Sequence, residues 1–238
     1  MDYAAVRALG NEEIHTPNLD RLVHRGTIFT HAYNMGSWSA AVCVPARTML
    51  MTGLTVWNAN RAQGDGLDET LVAQNRFWPQ LLEGGGYETY MTGKWHVQAD
   101  VERAFTHVSN VQPGGMPGTR RSAYNRPVEG EPDQWQPWDE ALGGYWAGGT
   151  HWSEVLAQDA EQFLARAAEG DTPFFMYLAF NAPHDPRQSP KEYVDLYPLE
   201  DIAVPANFKA EYPYNEEIGS GRRLRDERLA PFPRTEYA

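Results

Sequence analysis

The run Phe174-Phe175-Met176-Tyr177-Leu178-Ala179-Phe180 constrains this chain more than any other feature. It has the length of a strand and carries no charged or amide side chain with which one face could meet water. A helix-spaced segment precedes it. Across residues 153–168, Leu156, Ala160, Phe163, Leu164 and Ala167 recur on one side, and Gly170 supplies the stop. A strand apolar on both sides belongs inside a parallel sheet covered by helices. A second unit of the same kind lies upstream. A helix ending over residues 78–83 is closed by Gly84-Gly85-Gly86, and an alternating strand follows at 87–92. Helix-then-strand units repeated in this order predict an α/β fold with a largely parallel central sheet flanked by helices.

Shorter signals fill in the rest. Residues 16–26 read as a helix with Thr16 at the N-cap, Pro17 in the first turn and Gly26 at the stop, and Leu19, Leu22 and Val23 form its apolar face. Residues 27–33 are rich in strand formers. A short helix is expected from Pro45 to about Gly53, which would put Cys43 just ahead of its N-terminus. Between about 109 and 149 the chain becomes rich in Gly, Pro and Trp, as in a long insertion on one rim of the sheet, either a binding loop or an irregular excursion. Residues 206–238 are polar and dense in charge around Arg222-Arg223-Leu224-Arg225-Asp226-Glu227-Arg228. The expected organisation is one domain core over 1–205, with a peripheral segment of the same domain over 206–238.

Composition narrows the function classes. Lys and Arg number 20 against 32 Asp and Glu, a net charge of −12, which argues against a general nucleic-acid binder and against docking on an anionic membrane. No apolar run approaches the ~20 residues that span a bilayer. One Cys excludes an internal disulfide framework and a multi-cysteine zinc site.

Three clusters could carry chemistry. In Cys43-Val44-Pro45-Ala46-Arg47 a thiol beside a helix N-terminus and an arginine is set for reactivity, whereas the plain alternative is a buried cysteine with an unrelated neighbour. Lys94 and His96 flank Trp95 just past the 87–92 strand, and in an extended chain both point the same way. His184 lies in Asn181-Ala182-Pro183-His184-Asp185-Pro186, past the apolar strand, with prolines on either side. Each histidine alone has a structural reading. Together Cys43, Arg47, Lys94, His96 and His184 fall at strand and helix ends, where open α/β sheets bind ligands, and describe a cationic pocket for a tetrahedral oxyanion.

Two longer patterns are specific. Cys43-Val44-Pro45-Ala46-Arg47-Thr48-Met49-Leu50-Met51-Thr52-Gly53 resembles the first signature of the type I sulfatases of the alkaline-phosphatase superfamily, C-x-P-[SA]-R with a following T-G. Gly86-Tyr87-Glu88-Thr89-Tyr90-Met91-Thr92-Gly93-Lys94-Trp95-His96 resembles the second. Thr16-Pro17-Asn18-Leu19-Asp20-Arg21-Leu22 and the 173–186 stretch resemble the segments before and after, so the likeness runs from about 11 to 190. It implies an alkaline-phosphatase-like fold and hydrolysis of a sulfate monoester, with a sulfated small molecule or carbohydrate as substrate. Cys43 would be oxidised to Cα-formylglycine by a formylglycine-forming enzyme, its hydrate serving as nucleophile and as a ligand to Ca2+. Arg47 and Lys94 would hold the formylglycine and the sulfate oxygens. His96 would hydrogen-bond the hydrate, and His184 would contact the sulfate or protonate the leaving alcohol. Relatives are often periplasmic or secreted.

The resemblance also implies carboxylates that this sequence does not supply. An Asp-Asp pair would fall just before Met1, and an Asp-Asn/His-Gly group with a further lysine would follow the histidine loop. The expectation is therefore a fragment, inactive by itself and without a tight calcium site, in which the absence of a leader sequence at Met1 carries no information. Two other functions remain open at this point. One is a phosphonate or phosphate ester hydrolase of the same superfamily, suggested by Ala46 in the first signature. The other is a non-catalytic sulfatase-like protein that binds anionic glycans.

Overall fold

The computed structural model describes residues 5–38, 41–120, 123 and 135–203. The peripheral segment expected over 206–238 lies outside the described residues. Three parallel strands form the sheet: β1 (Glu88–Lys94), β2 (His107–Gln112) and β3 (Phe174–Ala179), in the order β2-β1-β3. Seven helices are described: α1 (Pro17–Arg25), α2 (Cys43–Thr52), α3 (Val56–Gly64), α4 (Leu67–Thr70), α5 (Trp78–Gly84), α6 (Trp152–Ala167) and α7 (Lys191–Val194).

Helices cover both faces of the sheet. On one side Met91 packs with Met51 of α2, Leu67 of α4, Phe77 before α5, and Trp95 and Phe105 beyond β1. On the other, Tyr90 of β1 packs with Phe163 and Ala167 of α6 and with Met176 of β3. This is the predicted α/β arrangement, and its period explains it: odd and even residues of β1 face different helical layers.

The strands differ from expectation in their places. β3, the all-apolar run, is the outer strand of the described sheet and is only partly covered, while β1, which contains Thr89, Thr92 and Lys94, is central and buried from Thr89 onward. β1 tolerates its polar groups because they have partners. Thr92 Oγ1 donates to Asp159 of α6, and Asp159 also accepts from Ser109 Oγ at 3.0 Å and Asn110 Nδ2 at 2.9 Å. The helical spacing of α6 held, but Asp159 is buried on its inner face and Leu164 is half exposed. β2 starts where the insertion was expected and occupies its first residues.

Gly93 sets the spacing between β1 and β3. Its φ is +97°, and a Cβ there would stand 2.2 Å from the Ala179 carbonyl oxygen, so only glycine lets the two backbones meet at this point. The β1–β2 register shifts at the same place, between Thr92 and Gly93.

Two N-terminal expectations change. Residues 27–33 do not form a strand; no described strand pairs with them, and Phe29 and Tyr33 are largely exposed. A strand needs a hydrogen-bonded neighbour, whatever its propensity. α1 forms where predicted, yet none of its residues is buried and Leu22 is 67% exposed, because its tertiary contacts are mainly with the turn at Arg7–Leu9. Asp20 secures that contact by accepting from the Ala8 N–H and the Thr16 hydroxyl, both at 2.9 Å.

Candidate functional site

The carboxyl ends of β1 and β3 and the start of α2 converge. α2 begins two residues earlier than expected, so Cys43 is its first residue and not the residue before it, and Pro45 lies within the first turn. Pro45 is tolerated there because its missing N–H would have had no helical partner. Gly53, with φ +67°, closes the helix by donating its N–H to the Met49 carbonyl at 2.8 Å.

Arg47 ties α2 to the sheet. Its Nη1 donates to the Lys94 carbonyl at 2.5 Å and to the Tyr177 hydroxyl at 2.8 Å. Tyr177 therefore belongs to the support of this site, a role its place in an apolar run concealed. Burial pushes the Tyr177 phenol up and the Arg47 charge pulls it down, the first effect being larger.

Lys94 is the last residue of β1 and is 4% exposed. Its side chain lies beside that of Cys43. Burial lowers its pKa most, the neighbouring Arg47 charge lowers it further, and the Cys43 contact opposes both. An ammonium buried against a guanidinium is costly and gains most from an anion placed between them.

His96 reaches the same place by a different backbone path from the one expected. Its φ is +52°, so the chain turns there and the alternation argument for Lys94 and His96 does not apply. Burial lowers its pKa first, followed by the charges of Lys94, Arg47 and His184. Those contributions place all four side chains in one electrostatic cluster. His96 Nδ1 is buried and has no hydrogen-bond partner among the described residues. The ring lies over Gly114, where a Cβ would come 3.3 Å from Nε2. Asn181 holds that glycine by donating to its carbonyl at 3.2 Å, and Trp152 Nε1 in turn donates to Asn181 Oδ1 at 3.1 Å. Asn181 stood in the histidine motif, but nothing in its spacing announced this bracing.

His184 sits on the exposed loop after β3. Its Nδ1 faces the Asp185 carbonyl at 2.9 Å. A carbonyl only accepts, so Nδ1 carries the proton and Nε2 is left for other work. Tyr145 holds the loop from the other side, donating its hydroxyl to the His184 carbonyl at 3.0 Å. Among the described residues no group of three or more His, Cys, Asp or Glu side chains could hold a metal ion. No described helix is long and apolar enough to cross a membrane.

A parallel sheet between helical layers, with Arg47, Lys94, His96 and His184 near the carboxyl ends of its strands, defines an α/β protein of the kind whose ligand sites lie at that edge. Comparison with known proteins narrows the class. The Sulfatase family model matches residues 1–217, and the chain belongs to that family. An uncharacterised sulfatase of Schizosaccharomyces pombe is 30% identical over 217 residues, covering 78% of this chain and 36% of the relative. The ulvan-active sulfatase of Formosa agariphila is 26% identical, covering 88% of this chain and 39% of the relative. The arylsulfatase of Klebsiella aerogenes is also 26% identical, covering 83% and 44%. The chain thus spans less than half the length of these relatives. The crystal structure of Ps i-CgsB in complex with k-i-k-neocarrahexaose superposes with a TM-score of 0.54 at 21% identity, over 96% of this chain and 53% of that one, which establishes the shared fold.

Proposed function

We propose that Cys43, Arg47, Lys94, His96 and His184 form the sulfate-binding centre of a sulfuric ester hydrolase acting on a sulfated carbohydrate or other small molecule. The observation that carries this reading is the cluster itself: buried Lys94 beside Cys43, its carbonyl held by Arg47 and its charge felt by His96, in a chain whose net charge is −12. A bound SO4 group neutralises that local excess.

Cys43 suits conversion to formylglycine, because an oxygen-bearing side chain at the start of α2 would meet the Lys94 ammonium where the thiol now does. Formylglycine supplies a hydrated aldehyde as nucleophile toward sulfur. The chain's own residues do the rest. Arg47 and Lys94 draw charge from the sulfate oxygens. His96, kept neutral by its surroundings, offers the unpartnered Nδ1 as a hydrogen-bonding group. His184, with its Nδ1–H fixed on the Asp185 carbonyl, donates from Nε2 as the imidazolium to the departing alcohol oxygen and is left as the neutral Nδ1–H tautomer. Calcium does not fit the described residues, since a hard cation needs several oxygen ligands and the cluster around Cys43 is cationic. No step is assigned to it.

Co-production with a formylglycine-forming enzyme, followed by mass spectrometry of the Cys43 peptide, tests the modification. The aldehyde is expected, and a thiol throughout removes the proposed nucleophile. Titration with inorganic sulfate tests the centre: Lys94→Ala should weaken binding at least about tenfold, the scale of one charge-assisted contact. Equal affinity in the variant would place sulfate elsewhere.

A further inference from the structure

The end of the glycine-rich insertion meets the loop that carries His184. In that loop the exposed His184 and Arg187 stand between the buried Asn181, Pro186 and Gln188. Gln188 uses all its polar groups. Its Oε1 accepts the Tyr145 N–H at 2.8 Å, its Nε2 donates to the Gly143 carbonyl at 2.8 Å, and its backbone N–H donates to the Pro186 carbonyl at 2.9 Å. Its own carbonyl faces His151. That buried ring accepts the Ser153 N–H on Nδ1 at 3.3 Å, so the proton is on Nε2, 3.4 Å from the Gln188 oxygen. His151 also stacks on Tyr145, with ring centroids 5.2 Å apart. Gly144 makes the approach possible, since its φ is +64° and a Cβ there would collide with Gln188 Oε1. The Ser189 N–H adds a further tie by donating to the Pro137 carbonyl at 3.1 Å.

We propose that Tyr145 and Gln188 are positioning residues for His184, holding it as the Nδ1–H tautomer so that Nε2 is the atom that gives up the proton. The inference rests on the role given to His184 in the centre proposed above. The contact that sets the tautomer, Nδ1 to the Asp185 carbonyl at 2.9 Å, joins neighbouring residues on an exposed loop and has little strength of its own. It persists where the backbone on both sides is held. Tyr145 fixes the peptide before Asp185 by donating its hydroxyl to the His184 carbonyl at 3.0 Å. Pro186, buried and next in the chain, narrows the conformations open to Asp185, and Gln188 anchors the Pro186 carbonyl. The proton position on an imidazole follows the hydrogen bond that the ring makes, and an unconstrained histidine favours Nε2–H. The Nδ1–H form is therefore a signature of the grip, and gripping the histidine loop is a task for the insertion.

Two-dimensional 1H–15N NMR of the histidine side chains tests this on the whole chain at about pH 9, where an ordinary histidine is neutral. His184→Asn assigns the signal. The native chain should show His184 as Nδ1–H. Tyr145→Phe removes one hydroxyl and keeps the ring on His151 and the backbone N–H on Gln188, so folding is not at stake. It should lower the ratio of Nδ1–H to Nε2–H by about fivefold, the bias that one net hydrogen bond can exert. Gln188→Ala should lower it at least as far. A merely structural contact would move the urea midpoint and leave the tautomer as it was. Nε2–H in the native chain overturns the proposal, and so does a ratio within about twofold of native in both variants. Titration with inorganic sulfate separates this from the reading beneath it. If sulfate moves neither the His96 nor the His184 signal, the anion centre is wrong, and a tautomer that still follows Tyr145 leaves the grip on His184 standing.

Discussion

β1 and β3 are hydrogen-bonded neighbours over six register pairs, yet their surroundings are opposite to their compositions. Thr92 of β1 pairs with Leu178 of β3; the threonine is fully buried and the leucine is 36% exposed. β1 has a strand on each side and a helical layer over each face. β3 has one described strand beside it and thinner cover. Burial in this sheet follows the position of a strand, and hydropathy only limits which positions it can occupy. Polar groups enter the centre when each has a partner, as Thr92 has in Asp159.

The joint between the two strands is where the comparison breaks most easily. Gly93→Ala would drive a Cβ into the Ala179 carbonyl and hold a non-glycine residue at φ +97°. The cost should exceed about 3 kcal/mol, from strain combined with overpacking. Urea denaturation reads it as a fall in midpoint or as loss of the folded state. A native midpoint would mean that β1 and β3 do not approach as closely as described.

Asp159→Ala comes next. It would leave Thr92 of β1 and Ser109 and Asn110 of β2 without their shared acceptor. About 2 kcal/mol of destabilisation is expected, chiefly from the buried Thr92 hydroxyl, since Ser109 and Asn110 are partly open to water. Asp159→Asn should cost less, since one oxygen still accepts. If the alanine variant melts with the native chain, the polar residues of the central strand do not depend on α6.

These two strands also show what the sequence made legible. The helix-then-strand order was readable because α6 and β3 keep their periods over many residues. Which strand lies inside was not, since an apolar run states what a strand can tolerate and leaves its neighbours unnamed. β2 was hidden because His107-Val108-Ser109-Asn110-Val111-Gln112 has neither a long apolar run nor a flanking helix pattern, and Gly- and Pro-rich sequence follows it. Nothing local to Asp159 announces its three donors, which are remote in sequence. At the site, the candidate residues stood out because they occupy motifs at the ends of predicted elements. Their support did not: Tyr177, Gly114 and Asn181 act through contacts across the fold that no local spacing encodes.

The smallest effect sharpens the comparison most. Leu178→Thr gives β3 the residue that β1 carries at the paired position. Threonine is β-branched and favours strands, and the leucine is already partly in water, so little apolar burial is lost. The change in stability should stay within about 0.5 kcal/mol, and solubility should hold or rise, because an exposed apolar side chain leaves the outer strand. Denaturation midpoints and light scattering measure the two effects. A loss on the scale of a buried leucine, about 2 kcal/mol or more, would show that Leu178 is covered in solution. A further element would then pack on β3, and the two strands would be buried alike.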